Sequence, residues 1–78
     1  MPSRAEVQAG GDGAPIRVRH RSRWQQVARV REHYRVEDRW WTQEPIARDY
    51  FDLTLEDGLP LTVFYDRSGR QWYEQRYG

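Results

Sequence analysis

The chain contains no cysteine and no lysine, a single methionine and no long apolar run. Without cysteine, neither a disulfide nor a thiolate zinc site can support the fold, and that absence suits a reducing compartment. No apolar stretch approaches the roughly 20 residues that a membrane span needs. Met1 to Ala14 also lacks the apolar segment of a signal peptide, so the sequence reads as a soluble, cytoplasmic protein. Without lysine, nearly all positive charge resides on arginine, whose planar fork favours bidentate contacts; arginine-favouring codon usage explains the same bias. Catalytic material is scarce. The only serines, Ser3, Ser22 and Ser68, fall in an expected tail and two turns, and nothing pairs them with His20 or His33. The two histidines match no metal-ligand spacing. His20 is expected as a partly buried packing residue and His33 as a solvated one. The adjacent acids Glu37-Asp38 and Glu56-Asp57 sit at strand ends and turns, where carboxylates are solvated. No enzymatic activity, cofactor or metal is expected.

The 78 residues make one domain near the size at which burial barely suffices. Only 37% are hydrophobic, yet four Trp, five Tyr and two Phe raise the aromatic share to 14%. Each aromatic buries roughly 150–250 Å², which predicts a core centred on Trp and Tyr rather than on Leu. Charge is unevenly distributed. From Ile16 to Arg35, seven arginines face one acid, Glu32, for a net +6; from Trp40 to Gly78, four arginines face seven acids, for a net −3. Such polarity attracts a polyanion at one end or orients protein docking.

Residues 1–14, with Gly10-Gly11-Asp12-Gly13 and few apolar side chains, read as a flexible tail, and residues 15–78 as the single folded domain. Pro15 opens a strand in which Ile16, Val18 and His20 alternate with Arg17, Arg19 and Arg21. Arg21-Ser22-Arg23 is a short hairpin connection without the usual glycine. Over Trp24 to Val36 a helical stripe would place Arg31 at its centre. A strand places Trp24, Ala28, Val30, Tyr34 and Val36 on one side and Arg29, Arg31, His33 and Arg35 on the other. The strand separates the two classes better, as a long, bent member with a bulge near Gln26; a helical turn around Ala28–His33 is the alternative. After a connection containing Pro45, Phe51, Leu53 and Leu55 alternate with polar residues in a further strand. Asp57-Gly58 marks a turn, Leu61 to Asp66 is apolar on both faces as in an inner strand, and Asp66-Arg67-Ser68-Gly69 marks a turn before a last aromatic strand. Short connections favour an antiparallel meander. The class expected is mainly β: about five antiparallel strands, able to curl into a small SH3-like barrel, behind a disordered N-terminal tail.

Two surfaces stand out. Arg17, Arg19, Arg21 and Arg23 on the first strand and its turn, with Arg29, Arg31 and Arg35 on the second, would form a two-strand arginine patch. Beside Trp24 or Tyr34 it could contact phosphates and stack bases; a charged, solvated strand face is the plainer reading. The second is Arg39-Trp40-Trp41. Both rings could be buried on either side of a bend. Alternatively one is an exposed interface anchor, with Arg39 or Arg48 stacked on it.

The runs Pro15-Ile-Arg-Val-Arg-His20, Trp24-Gln-Gln-Val27, Tyr34-Arg-Val-Glu-Asp-Arg-Trp-Trp41, Arg48-Asp-Tyr-Phe51, Val63-Phe-Tyr-Asp66 and Gly69-Arg-Gln-Trp-Tyr73 resemble the small C-terminal domain of bacterial ImuB-like, Y-family translesion polymerases. They also resemble stand-alone proteins encoded beside such genes. The resemblance covers residues 15–76 and omits the polymerase palm and little finger, so it carries over no polymerase activity. It implies a non-catalytic adaptor in damage-tolerant replication, with a translesion polymerase or replication protein as partner. A nucleic-acid-binding module and a subunit of a homo-oligomer are the alternatives.

Overall fold

Alternation of apolar and polar side chains at period two dictates strands throughout. The computed structural model describes residues 3–38, 41–43 and 45–75, and every regular element among them is a β-strand. In chain order these are β1 (Ser3–Arg4), β2 (Glu6–Ala9), β3 (Pro15–His20), β4 (Arg23–Asp38), β5 (Ile46–Leu55), β6 (Pro60–Asp66) and β7 (Gln71–Gln75). They form one antiparallel sheet in the order β1-β7-β6-β5-β4-β3-β2, curled into a half-barrel. The long segment from residue 24 is a strand, and the helical alternative falls away.

Seven strands replace the five expected, and the two additional ones lie in the segment read as a tail. β1 pairs with β7 and β2 with β3, so the two ends of the sheet are bridged by consecutive residues of one segment. Ala5, between them, is buried, and its N–H donates to the Trp72 carbonyl at 3.0 Å. The segment is ordered because it satisfies backbone groups at two open edges at once. Gly10-Gly11-Asp12-Gly13 is accordingly a hairpin turn and not a linker. Gly13 adopts φ 86°, which favours glycine, and Asp12 Oδ1 accepts from the Ala14 N–H at 3.0 Å.

The core comprises Val18, Phe51, Leu53, Leu55, Leu61 and Val63, with Val7, Ala14, Val27, Leu59 and Trp72 packed against it. This corrects the expectation of a Trp- and Tyr-centred core. The interior face of a small curled sheet is filled by branched aliphatic side chains, and most aromatics lie on the other face. There Tyr34, Tyr50, Phe64 and Tyr73 are successive cross-strand partners on β4, β5, β6 and β7. Their rings follow one another at centroid distances of 5.1, 4.9 and 5.2 Å. Such a row uses ring faces on one another and stabilises the sheet by roughly 0.5–1.5 kcal/mol per contact. It also explains β6, buried on both faces from Leu61 to Phe64 as an inner strand should be.

The turns follow their residues. At Asp57-Gly58, Gly58 has φ 87° and Asp57 Oδ1 accepts from the Leu59 N–H at 3.0 Å. Asp66 Oδ1 accepts from the Ser68 N–H at 3.1 Å. The β3–β4 turn is a two-residue hairpin in which Arg21 and Ser22 both take positive φ, 53° and 65°. That is the sign pattern of a type I′ turn made without glycine.

Candidate interaction surfaces

β4 positions nearly everything of functional interest, and two irregularities decide how. Its register against β5 shifts between Val27 and Arg29 and again between Val30 and Glu32, so Ala28 and Arg31 are bulged. The expected single bulge near Gln26 is thus replaced by two further along. Each bulge resets which side chains share a face. Val27 and Val30 lie opposite Leu55 and Leu53 on the interior side, while Arg29 lies opposite Thr54 on the outer side. Beyond the second bulge, His33 and Arg35 take the interior side with Phe51 and Asp49, and Tyr34 and Val36 the outer side with Tyr50 and Arg48.

The seven candidate arginines are therefore divided. Arg17 and Arg19 project together from the outer face of β3, and Arg21 and Arg23 flank the hairpin turn. Arg21 and Arg31 both line an open hollow of about 470 Å³ that also includes His20, Leu61 and Glu74. Arg31 Nη2 reaches the Leu53 carbonyl at 3.4 Å. Arg35 crosses to the interior side, where its Nε donates to Asp49 Oδ1 at 3.0 Å. That hydrogen bond, and then the carboxylate charge, raise the Arg35 pKa above its ordinary value. A continuous two-strand stripe does not form: Arg17 and Arg19 share the outer face with Trp24, whereas Arg35 lies on the interior side and the bulged Arg31 lines the hollow.

His33 is exposed, as expected, and in addition stacks on Phe51 at 4.2 Å with an interplanar angle of 8°. Its Nε2 stands 3.8 Å from Asp49. His20 is a largely buried packing residue, with Nδ1 3.5 Å from Glu74 Oε1 across the closure between β3 and β7. Arg39 and Trp40 lie outside the described residues. Trp41, in the turn after β4, is 67% exposed, so the arrangement with both tryptophans buried does not hold. Arg48 is committed elsewhere than on Trp41: its guanidinium carbon lies 4.7 Å from the Phe64 ring and Nη1 donates to Tyr50 Oη at 3.3 Å.

One feature was not anticipated from the sequence. From Arg23 to Gln26, β4 has β3 on one side. Beyond Gln26, among the described residues, it is paired only with β5. About ten residues thus present an open sheet edge. Of the six exposed large hydrophobic side chains among the described residues, Trp24, Val30, Tyr34 and Val36 lie on β4 and Trp41 follows it. The signal available in sequence was the length mismatch between a six-residue partner strand and a strand more than twice as long. No helix among the described residues is long and apolar enough to cross a membrane.

Comparison with protein-family models, with curated proteins and with solved structures finds no match to this chain. The likeness to ImuB-like C-terminal domains accordingly stands on the sequence motifs alone.

Proposed function

We propose that the protein is a non-catalytic binding module that takes up an extended segment of a partner protein along the open edge of β4. The observation that supports this reading is the concentration of exposed apolar side chains on a strand that, beyond Gln26 and among the described residues, has a neighbouring strand only on its β5 side. Strand addition draws affinity from main-chain hydrogen bonds and specificity from alternate side chains. The edge runs from a basic start, Arg29 and Arg31, to an acidic end, Glu37 and Asp38. A partner strand carrying acids toward the first and bases toward the second is complementary. Trp41 extends the surface as an aromatic anchor of the kind enriched in hot spots. On the resemblance of the aromatic motifs, the partner belongs to translesion synthesis, and the module is an accessory adaptor there.

The test is affinity capture from DNA-damaged cells with the wild-type chain and with Val30→Lys/Val36→Lys, since lysines on an edge oppose strand addition. The wild type is expected to recover a translesion polymerase or replication component, and the folded variant to lose it. Recovery of no such component refutes the translesion role; equal recovery by the variant refutes the edge. Sedimentation of the purified chain addresses self-pairing: a dimer abolished by the same substitutions would assign the edge to a second copy instead.

A further inference from the structure

We propose that the β3–β4 hairpin is a second, separate binding site, for single-stranded nucleic acid, with Trp24 as the stacking platform, Arg17 and Arg19 as phosphate contacts beside it and Arg21 in the turn as a third. Trp24 is 39% exposed and lies directly across from Arg19 on the outer face. The Arg17 guanidinium carbon stands 6.0 Å from the same ring. Residues 17 to 23 hold four arginines and no acid. Alternate residues of a strand stand roughly 6.7 Å apart, so Arg17 and Arg19 present two guanidiniums in a row beside the indole; Arg21 stands in the turn next to them, while Arg23, across from His20, lies on the other face.

The neighbours of these arginines orient them with little neutralisation. Arg17 Nε donates to the amide oxygen of Gln8 at 2.9 Å, a clamp without charge. Arg19 Nη1 meets Glu6 at 3.5 Å, but both side chains are about half exposed, and such a pair is weak and readily exchanged for a phosphate. An indole exposed among guanidiniums matches the combination that holds unpaired bases: a sequence-tolerant ring surface and a basic track for the backbone. In a duplex the bases are already stacked and the ring has nothing to take up, which favours the single strand. The aromatic row on β4 to β7 offers no equivalent, since its ring faces lie against one another.

The test is fluorescence anisotropy of a labelled short oligothymidylate titrated with the full chain at several salt concentrations. Two to three phosphate contacts predict a slope of log affinity against log salt of about −1.5 to −2 for a single strand. Trp24→Ala should weaken binding about tenfold with the slope unchanged, and Trp24→Phe should recover part of the loss. Arg19→Gln should reduce the slope by about 0.7. Val30→Lys/Val36→Lys should leave oligonucleotide affinity intact or slightly raised, which keeps this site distinguishable from the β4 edge. Undetectable binding at low salt overturns the proposal. So does binding indifferent to Trp24→Ala, equal affinity for a duplex of the same length, or equal affinity for polyglutamate, because each reduces the hairpin to a patch of charge.

Discussion

Phe64 provides the sharpest test of how this sheet holds together. It points to the outer face, yet it is only 1% exposed. Its cover comes from its own sheet: Tyr50 at 4.9 Å, Tyr73 at 5.2 Å and the Arg48 guanidinium at 4.7 Å. Phe64→Ala should therefore behave as a core deletion and cost about 3–5 kcal/mol. A domain of this size has about 4–12 kcal/mol in total, and each kcal/mol shifts Tm by roughly 4–8 °C. The variant should melt at least about 12 °C lower, and it could fail to fold at ambient temperature. Phe64→Leu keeps most of the apolar area and loses two ring contacts at about 0.5–1.5 kcal/mol each, so about 1–3 kcal/mol.

Arg48→Ala removes the cation over the ring and the packing of its stem, for about 1 kcal/mol. If the cation acts through the ring, Arg48→Ala costs less in the Phe64→Leu background, with a coupling of about 0.5–1 kcal/mol. Urea denaturation followed by circular dichroism, with unchanged m-values, measures all four corners of the cycle. Phe64→Ala costing under about 1 kcal/mol would show that the outer face is not a packed layer. Zero coupling would show that Arg48 does not cover Phe64. Because Arg48 is engaged in the sheet, Arg48→Ala should also leave partner capture intact, which removes it from the interaction surface where the sequence alone placed it.

Two further outcomes are expected. Ser22→Gly relieves a left-handed residue in the β3–β4 turn and should stabilise the domain by about 0.5–1 kcal/mol, visible as a rise in thermal midpoint; a fall would mean the turn lacks its two positive φ angles. Ala5→Pro deletes the N–H that bonds the Trp72 carbonyl where the sheet closes, and should cost about 1–3 kcal/mol in urea denaturation; no loss would return residues 1–14 to the status of a tail.

Much of the fold is legible where strict alternation and turn chemistry coincide. Phe51, Leu53 and Leu55 face the core as their spacing requires, and Asp57-Gly58 and Asp66 to Gly69 turn the chain as their residue types require. The N-terminal strands were legible in part: Ala5, Val7 and Ala9 alternate with Arg4, Glu6 and Gln8, but small side chains make a weak signal. A glycine run serves a hairpin turn as well as a linker, so composition could not separate the two. The bulges at Ala28 and Arg31 had no glycine to mark them; the first inverts the faces of Arg29 and Val30, and the second restores the original alternation beyond it. Arg35 and His33 meet Asp49 and Phe51 rather than projecting beside Arg17 because the β3–β4 register sets Trp24, and not the residues that alternate with it, on the face of Arg17 and Arg19. Aromatic content gave the amount of apolar area without its location, and four of the eleven aromatics went to the outer row.

The same bulges limit how a second strand can pair with this edge. A flat strand of this length with Val30 and Val36 exposed would pair with its own kind. Two bulges twist β4 locally and break its register, and Arg29, Glu32, Arg35 and Glu37 interrupt the apolar residues with alternating charge. Regular pairing by a second strand is then restricted to the run after Arg31, and only a strand whose charges complement that order gains from it. The bulges also part the two surfaces of β4. From Arg23 to Gln26 the strand pairs with β3 and shows Trp24 with the β3 arginines; from Val27 onward, among the described residues, it pairs with β5. The binding proposed at the hairpin would use side chains, whereas strand addition at the edge would use the main chain. Substitutions that change only side chains on β3 should therefore leave edge binding intact, which makes the two surfaces separable by mutation.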